Sequence, residues 1–285
     1  MSSCIAPCLK RARLPRYRVR DRWPTWASNL GVGYDNVDVL AAQRRGVVVT
    51  HTPGVLDDAV AELALILACL RAIPASDRYV RAVRWRTDGA CPLTRQLSGR
   101  TVGILGLRRI GSTVAERLQP FRCTIQYHSR RAVPGALYRY VDSLLALAEG
   151  VDVLVAAAPA TPGEAPLVGR RILQALGLEG VLVNIARGSV VDESAMTDLL
   201  RGVGLGGAGL DAYQYEPHVP PALFDLEHVV LLPHVGSATS ETRRAMAELP
   251  LCNVEHFLAN GSGLTPVPST RRLDDGRAVR PGADT

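Results

Sequence analysis

With 285 residues, 47% of them hydrophobic, the chain is long enough for one large or two moderate domains with a substantial core. No apolar run reaches the length of a membrane span; Ala59–Leu70 comes nearest and is broken by Glu62. The formal charge of +6 is local, because residues 1–30 set Lys10, Arg11, Arg13, Arg16, Arg18, Arg20 and Arg22 against Asp21 alone; the remaining 26 cations and 26 anions balance, so the body has no net field to draw nucleic acid.

Residues 1–30 are rich in arginine and proline and have neither helical nor strand periodicity. They read as a poorly ordered start, with a transit-like presequence or a nucleic-acid-binding arm as the weaker alternatives. The six cysteines (Cys4, Cys8, Cys69, Cys91, Cys123, Cys252) lack zinc-ligand spacing, so no metal site is expected, and reduced thiols of a cytoplasmic protein are.

From Gly31 the pattern tightens. GVGYDN is a glycine-rich loop, Val37–Arg45 a short helix, Val47–Thr50 a buried strand and His51–Gly54 a turn. Asp57 opens an apolar-striped helix through Leu70, with Asp57 or Asp58 as N-cap, and a second helical piece follows Pro74 to Trp85. Strands are then expected at Thr101–Leu105, Thr124–His128, Val151–Ala156, Val181–Ile185, Gly207–Leu210 and Val229–Leu232. Helices fall between them at Ser112–Leu118, Asp142–Ala148, Arg170–Leu176 and Glu193–Leu200, and a last helix runs Thr239–Leu258 before a polar tail from Ser269 that is expected to fray. Near-continuous apolar strands separated by amphipathic helices define an α/β fold with a doubly wound parallel sheet of Rossmann type.

Four stretches carry chemistry. The first, TVGILGLRRIG, is a strand that breaks on glycine and re-emerges as a helix, the arrangement that directs helix N–H groups at a dinucleotide pyrophosphate. The glycines at Gly106 and Gly111 fit that motif, but Arg108 occupies the middle glycine position. After the next strand, His128, Ser129, Arg130 and Arg131 stand where an acidic residue would bind the ribose of NAD. Arginine matches a 2′-phosphate in charge and fork geometry, so NADPH is expected rather than NADH.

The second stretch, NIARGSVVDE, puts Arg187 at a strand end, where it can hold a carboxylate. The third and fourth, GLDAYQYEP and PHVGSAT, put Asp211, Glu216 and His234 just past two further strands. A guanidinium, a carboxylate and an imidazole along one sheet edge suit the reduction of a 2-oxo acid. His234 would protonate the carbonyl oxygen, Glu216 would stabilise the charged imidazole, and Arg187 would anchor the substrate carboxylate and polarise the carbonyl.

From Gly31 to about Pro268 the chain resembles the D-isomer-specific 2-hydroxyacid dehydrogenases, and within them the NADPH-preferring glyoxylate/hydroxypyruvate and hydroxyphenylpyruvate reductases. The matching motifs are GVGYDNVD (31–38), TPGVLDDAVAELA (52–64), GRTVGILG with RIG (99–106, 109–111), NIARG (184–188), GAGLDAYQYEPHVP (207–220) and LLPHVGSAT (231–239). The resemblance implies that Arg187, Glu216 and His234 are catalytic and that the backbone amides of Val32 and Gly33 grip the substrate carboxylate, with Arg187 and His234 also in the substrate site. It implies that Asp211 meets the nicotinamide carboxamide. Leu107, Arg109 and Ile110 join Gly106, Arg108 and Gly111 along the cofactor, as do Ser129, Arg130 and Arg131. Pro159, Thr161, Ile185 and Ala186 would line it further, with Arg187, His234, Gly236 and Ser237. A homodimer built around the helix at Asp57–Arg71 is also implied.

Two departures carry consequences. The family opens with several dozen residues forming the first βα units of a flavodoxin-like substrate domain, and residues 1–30 stand in that place without the pattern. An N-terminally truncated substrate domain (31–54 and 236–268) beside a cofactor domain (55–235) is therefore expected, with an arm at 1–30 and a tail at 269–285. The Val47–Thr50 strand would be left without neighbours and apolar surface exposed. Secondly, a side chain at Arg108 invites a clash, and strain if its φ is positive, unless it swings outward to pair with a phosphate. These departures motivate an alternative to the reductase, a catalytically impaired relative that senses nucleotide or binds a partner. His51, where the family usually has asparagine, is expected to matter little.

Overall fold

The computed structural model describes residues 26–62, 65–161 and 163–271. The basic arm up to residue 25, with Cys4 and Cys8, and the tail beyond Arg271 lie outside the described residues. The chain forms two compact units, one of residues 57–238 and one that joins the segment up to Leu56 with that from Thr239 onward.

The smaller unit starts with β1 (Trp26–Ser28), α1 (Val39–Arg44) and β2 (Val48–Thr50). Here the expectation of a solitary strand is overturned. β1 pairs in parallel with β2, Trp26 opposite Val48 and Ser28 opposite Thr50, and Pro266 bridges Thr50 from the other side. A three-residue strand that begins on the last residue of Trp-Pro-Thr-Trp is too short to display a period, which is why it reads as part of the arm. Thr270 belongs to this unit's interior rather than to a fraying tail: its buried hydroxyl accepts the Val49 N–H at 3.1 Å.

The larger unit follows with α2 (Asp57–Glu62), α3 (Leu65–Leu70), α4 (Ile73–Arg81) and α5 (Arg84–Thr87). Asp57 and Asp58 both lie inside the first turn of α2 rather than at its cap. Next come β3 (Thr101–Leu105), α6 (Arg109–Leu118), β4 (Thr124–His128), β5 (Arg139–Tyr140), α7 (Leu144–Glu149) and β6 (Val153–Ala156). The unit closes with α8 (Arg170–Leu176), β7 (Val181–Asn184), α9 (Glu193–Arg201), β8 (Gly207–Leu210) and β9 (Val229–Leu231). The chain then enters α10 (Ser240–Asn260) of the smaller unit, capped by the Thr239 hydroxyl, which accepts the Thr242 N–H at 3.1 Å.

The seven strands are all parallel in the order β5-β4-β3-β6-β7-β8-β9. The order reverses between β3 and β6, which opens a crevice at their carboxyl ends. Strand alternation sorts the core into two layers. Val153, Val155, Val181 and Val183 pack with Leu65 and Leu70 of α3 and Val114 and Leu118 of α6. Leu154, Ala156, Leu182 and Leu210 pack with Leu147, Leu173 and Met196 from the helices on the other face. Every residue of β6, β7 and β8 is buried, as a sheet covered on both sides requires.

Candidate active site

Strand register builds the site. His128, Leu105, Ala156, Asn184, Leu210 and Leu231 pair in succession across the sheet, so the segments that follow them leave from one edge. Gly106, Ser129, Ile185 and Asp211 each come directly after a strand on that edge, and His234 follows β9 by three residues.

At the crevice, Gly106 turns the chain with φ +95°, and a Cβ there would lie 2.8 Å from the Ala158 backbone after β6. Helix α6 begins at Arg109, earlier than the glycine at 111 implies. Gly111 sits inside the first turn, where any Cβ would collide with the Gly106 carbonyl. The third glycine is thus a contact glycine, not a helix breaker. No side chain caps α6, which leaves the first N–H groups of the helix to an anion. The Leu107 N–H is already taken by the Ser129 hydroxyl at 3.1 Å, tying the phosphate turn to the end of β4. Arg108 is extended (φ −108°, ψ −161°) and exposed, so the feared strain is absent. Together the two glycines and the uncapped helix fit a dinucleotide pyrophosphate.

Ile110 is half-buried, while Arg109, Arg130 and Arg131 are exposed to solvent. His128 Nδ1 donates to the Val141 carbonyl at 2.8 Å. Pro159 and Thr161 are exposed in the segment after β6, and Ile185, Ala186 and Ser237 are half-buried.

Arg187 is held in an extended backbone by its neighbours. The buried Asn184 side chain donates to the Arg187 carbonyl at 3.0 Å and accepts the Ala186 N–H at 3.1 Å. Directly after Arg187, Gly188 presses on the next loop so closely that a Cβ would collide with the Tyr213 carbonyl and the Gln214 nitrogen. That loop carries Glu216. One Glu216 oxygen accepts the Tyr213 N–H at 3.0 Å, and both oxygens meet His234 Nδ1, at 3.0 and 2.9 Å. A carboxylate only accepts, so Nδ1 donates, and Nε2 is the ring nitrogen that Glu216 does not engage.

His234 adopts the left-handed conformation, φ 54°, which is costly for a residue with a side chain. Asp211 holds it there: its two oxygens accept the N–H groups of Val235 and Gly236 at 2.7 and 2.8 Å. Gly236 must be small, since a Cβ would lie 2.9 Å from the Asp211 carboxylate. Asp211 therefore has a local task as well as the one implied at the carboxamide.

In the smaller unit, the loop at Val32 and Gly33 is fixed through its carbonyls. Asn29 donates to Gly31 at 3.2 Å and Gly33 at 2.8 Å, and His51 Nδ1 donates to Val32 at 2.9 Å. His51 is buried and meets the Tyr34 ring edge-on, so this residue is a loop support and not an incidental change. The N–H groups of Val32 and Gly33 have no acceptor among the described residues.

Sequence reasoning missed three supports: Asn184, Gly188 and Glu193. A polar residue ending an apolar strand was the available signal for Asn184, because buried amides are bonded. A cavity of about 390 Å³, lined by residues including Cys69, Tyr79, Arg95 and His228, takes in none of the expected site residues; it touches β7 and β8 at their amino ends.

The chain matches known proteins over most of its length. The family model described as the NAD binding domain of the D-isomer specific 2-hydroxyacid dehydrogenases matches residues 63–236. A glyoxylate/hydroxypyruvate reductase of Arabidopsis thaliana is 48% identical over 242 residues, covering 84% of this chain and 77% of the relative. A hydroxyphenylpyruvate reductase of Plectranthus scutellarioides is 49% identical over 242 residues with the same coverage, 84% and 77%. Among solved structures, an NADPH-dependent glyoxylate/hydroxypyruvate reductase from Sinorhizobium meliloti, in complex with NADP and malonate, superposes with a TM-score of 0.83 at 44% identity and covers 86% of this chain and 78% of that one.

Proposed function

This chain belongs to the D-isomer specific 2-hydroxyacid dehydrogenases, and from that premise we propose that it reduces small 2-oxo acids of the glyoxylate and hydroxypyruvate type to D-2-hydroxy acids with NADPH. The observation that carries the reading is the His234–Glu216 pair at 2.9 Å on the carboxyl edge of the sheet.

Gly106–Gly111 would hold the cofactor's pyrophosphate and Arg130 and Arg131 its 2′-phosphate, and the cofactor when bound would supply the hydride for the carbonyl carbon. His234 Nε2 gives its proton to the carbonyl oxygen as the hydride arrives, which completes the alcohol. Glu216 stabilises the imidazolium that stands before that transfer. Arg187 orients the 2-oxo acid through its carboxylate and polarises the carbonyl.

His234→Ala is expected to abolish turnover of hydroxypyruvate while leaving the NADPH dissociation constant within about twofold; near-normal turnover would overturn the assignment. Arg130→Asp is expected to weaken NADPH by more than tenfold and NADH only slightly. Equal effects on the two cofactors would remove the role given to that arginine.

A homodimer belongs to the same reading. Between residues 73 and 93, Ile73, Val80, Val83, Trp85 and Leu93 are all more than half exposed, a density of apolar surface that suits a covered face. A cytoplasmic setting accords with the four described cysteines, all free thiols.

A further inference from the structure

Glu193 is a buried acid that the reaction does not use. It is 8% exposed, it opens α9, and its Oε2 accepts the backbone N–H of Gln214 at 3.1 Å. The Gln214 side chain points into solvent, so the contact is made to the loop itself. The preceding N–H, that of Tyr213, goes to Glu216. Two successive amides of one loop are thus taken by two different carboxylates.

The arrangement matters because acids crowd this corner. The Tyr213 phenol is pushed up to about 12, first by burial and then by the charges of Asp211, Glu193 and Glu216. Each of these carboxylates is held by an amide, and Glu216 keeps its place beside His234 only while the loop that carries it stays in place. Asp211 is fixed by the Val235 and Gly236 amides. Glu193 is fixed by its helix: Asp192 caps α9 through the Ala195 N–H at 2.9 Å, Thr197 Oγ1 donates to the Glu193 carbonyl at 2.7 Å, and Ala195, Met196 and Leu200 are buried. An acid in the first turn of a helix is also favoured by the helix dipole.

We propose that Glu193 is a positioning residue for the Glu216–His234 pair, acting by accepting the Gln214 N–H and so fixing the loop from which Glu216 reaches His234. The inference rests on the reductase reading above. What is required of residue 193 is an acceptor at the right reach, not a charge.

The test compares Glu193→Gln, which keeps the reach and an acceptor, with Glu193→Asp, which keeps the charge but falls short of Gln214. Hydroxypyruvate reduction, the NADPH dissociation constant and the imidazole Nδ1 proton of His234 by NMR are read on each. Glu193→Asp is expected to lose on the order of 10-fold to 100-fold in kcat, to broaden that proton resonance, and to bind NADPH within about twofold of the parent. Glu193→Gln should stay within about threefold in kcat and keep the resonance. Parent-like kcat in Glu193→Asp, or a Glu193→Gln as impaired as Glu193→Asp, overturns the proposal. Glu216→Gln and His234→Ala are run alongside. If both of these retain turnover, the reductase reading itself falls; if both are inactive while Glu193→Asp is normal, only the role of Glu193 falls.

Discussion

Arg108 occupies a position where a glycine would let backbone approach a pyrophosphate, yet its extended φ of −108° is open to any residue and its side chain lies in solvent. The arginine is tolerated because the turn takes its left-handed step at Gly106 and its close contact at Gly111. Arg108→Gly is accordingly expected to change NADPH affinity by less than about threefold, and a small loss is consistent with removal of a cation near phosphate. A gain of tenfold or more by titration would mean that the arginine obstructs the site. Asp57 is a different kind of residue. It is 9% exposed, one oxygen has no partner among the described residues, and the other lies 3.7 Å from Arg109 Nε. Burial holds its carboxyl above the ordinary value of 3.8, an effect Arg109 opposes and Asp58 reinforces. With the folded-state value raised, the stabilisation from the bound proton is complete below the unfolded value and disappears as pH climbs through the folded one. Asp57→Asn should therefore leave stability unchanged in acid and raise it at neutral pH by about 1 kcal/mol, the scale of a buried unsatisfied polar group, seen as a Tm gain that grows with pH. A Tm difference that does not grow with pH would contradict this.

At the scale of elements, legibility followed length and repetition. Thr101–Leu105 and Thr124–His128 were readable to the residue, the first as an apolar run and the second by its alternation, and even three-residue β2 and β9 were found as valine-rich runs, whereas β1 (WAS) and β5 (RY) offer neither signal. The start of α6 was misplaced for a physical reason: a glycine is ordinarily weak in a helix, and only the tertiary contact with the Gly106 carbonyl explains its presence at 111. The candidate site was legible as residue types at strand ends, since Arg187, Glu216 and His234 each follow an apolar run. What holds them was not, because Asn184, Asp211 and Glu193 act through backbone amides that sequence cannot pair. Gly188 is the sharpest instance. Gly188→Ala would have to displace the Tyr213–Gln214 backbone, and we expect a loss of about 3 kcal/mol by denaturant unfolding together with loss of turnover. Unchanged stability would mean that the two loops are less tightly joined.

For the whole molecule, the cations that make the sequence basic all precede the described residues, and the rest of the chain is balanced in charge. Apolar exposure is instead the outstanding surface property, concentrated at α4, α5 and the segment to Leu93, where Trp85 is 67% exposed. If this is the face that pairs two copies, Trp85→Glu should shift the mass in solution from dimer to monomer, as measured by light scattering. A parent protein that is already monomeric would remove the premise. No single helix among the described residues is long and apolar enough to cross a membrane.

The left-handed backbone of His234 places activity and stability in opposition at one residue. Asp211 keeps a conformation that glycine would adopt freely, so the fold carries strain at the imidazole proposed to donate the proton. Of two inactive variants, His234→Gly should then melt higher than His234→Ala, because only the former relieves the dihedral. Selection for thermal resistance alone, without an assay for turnover, would be expected to drift toward glycine at this position and discard the chemistry.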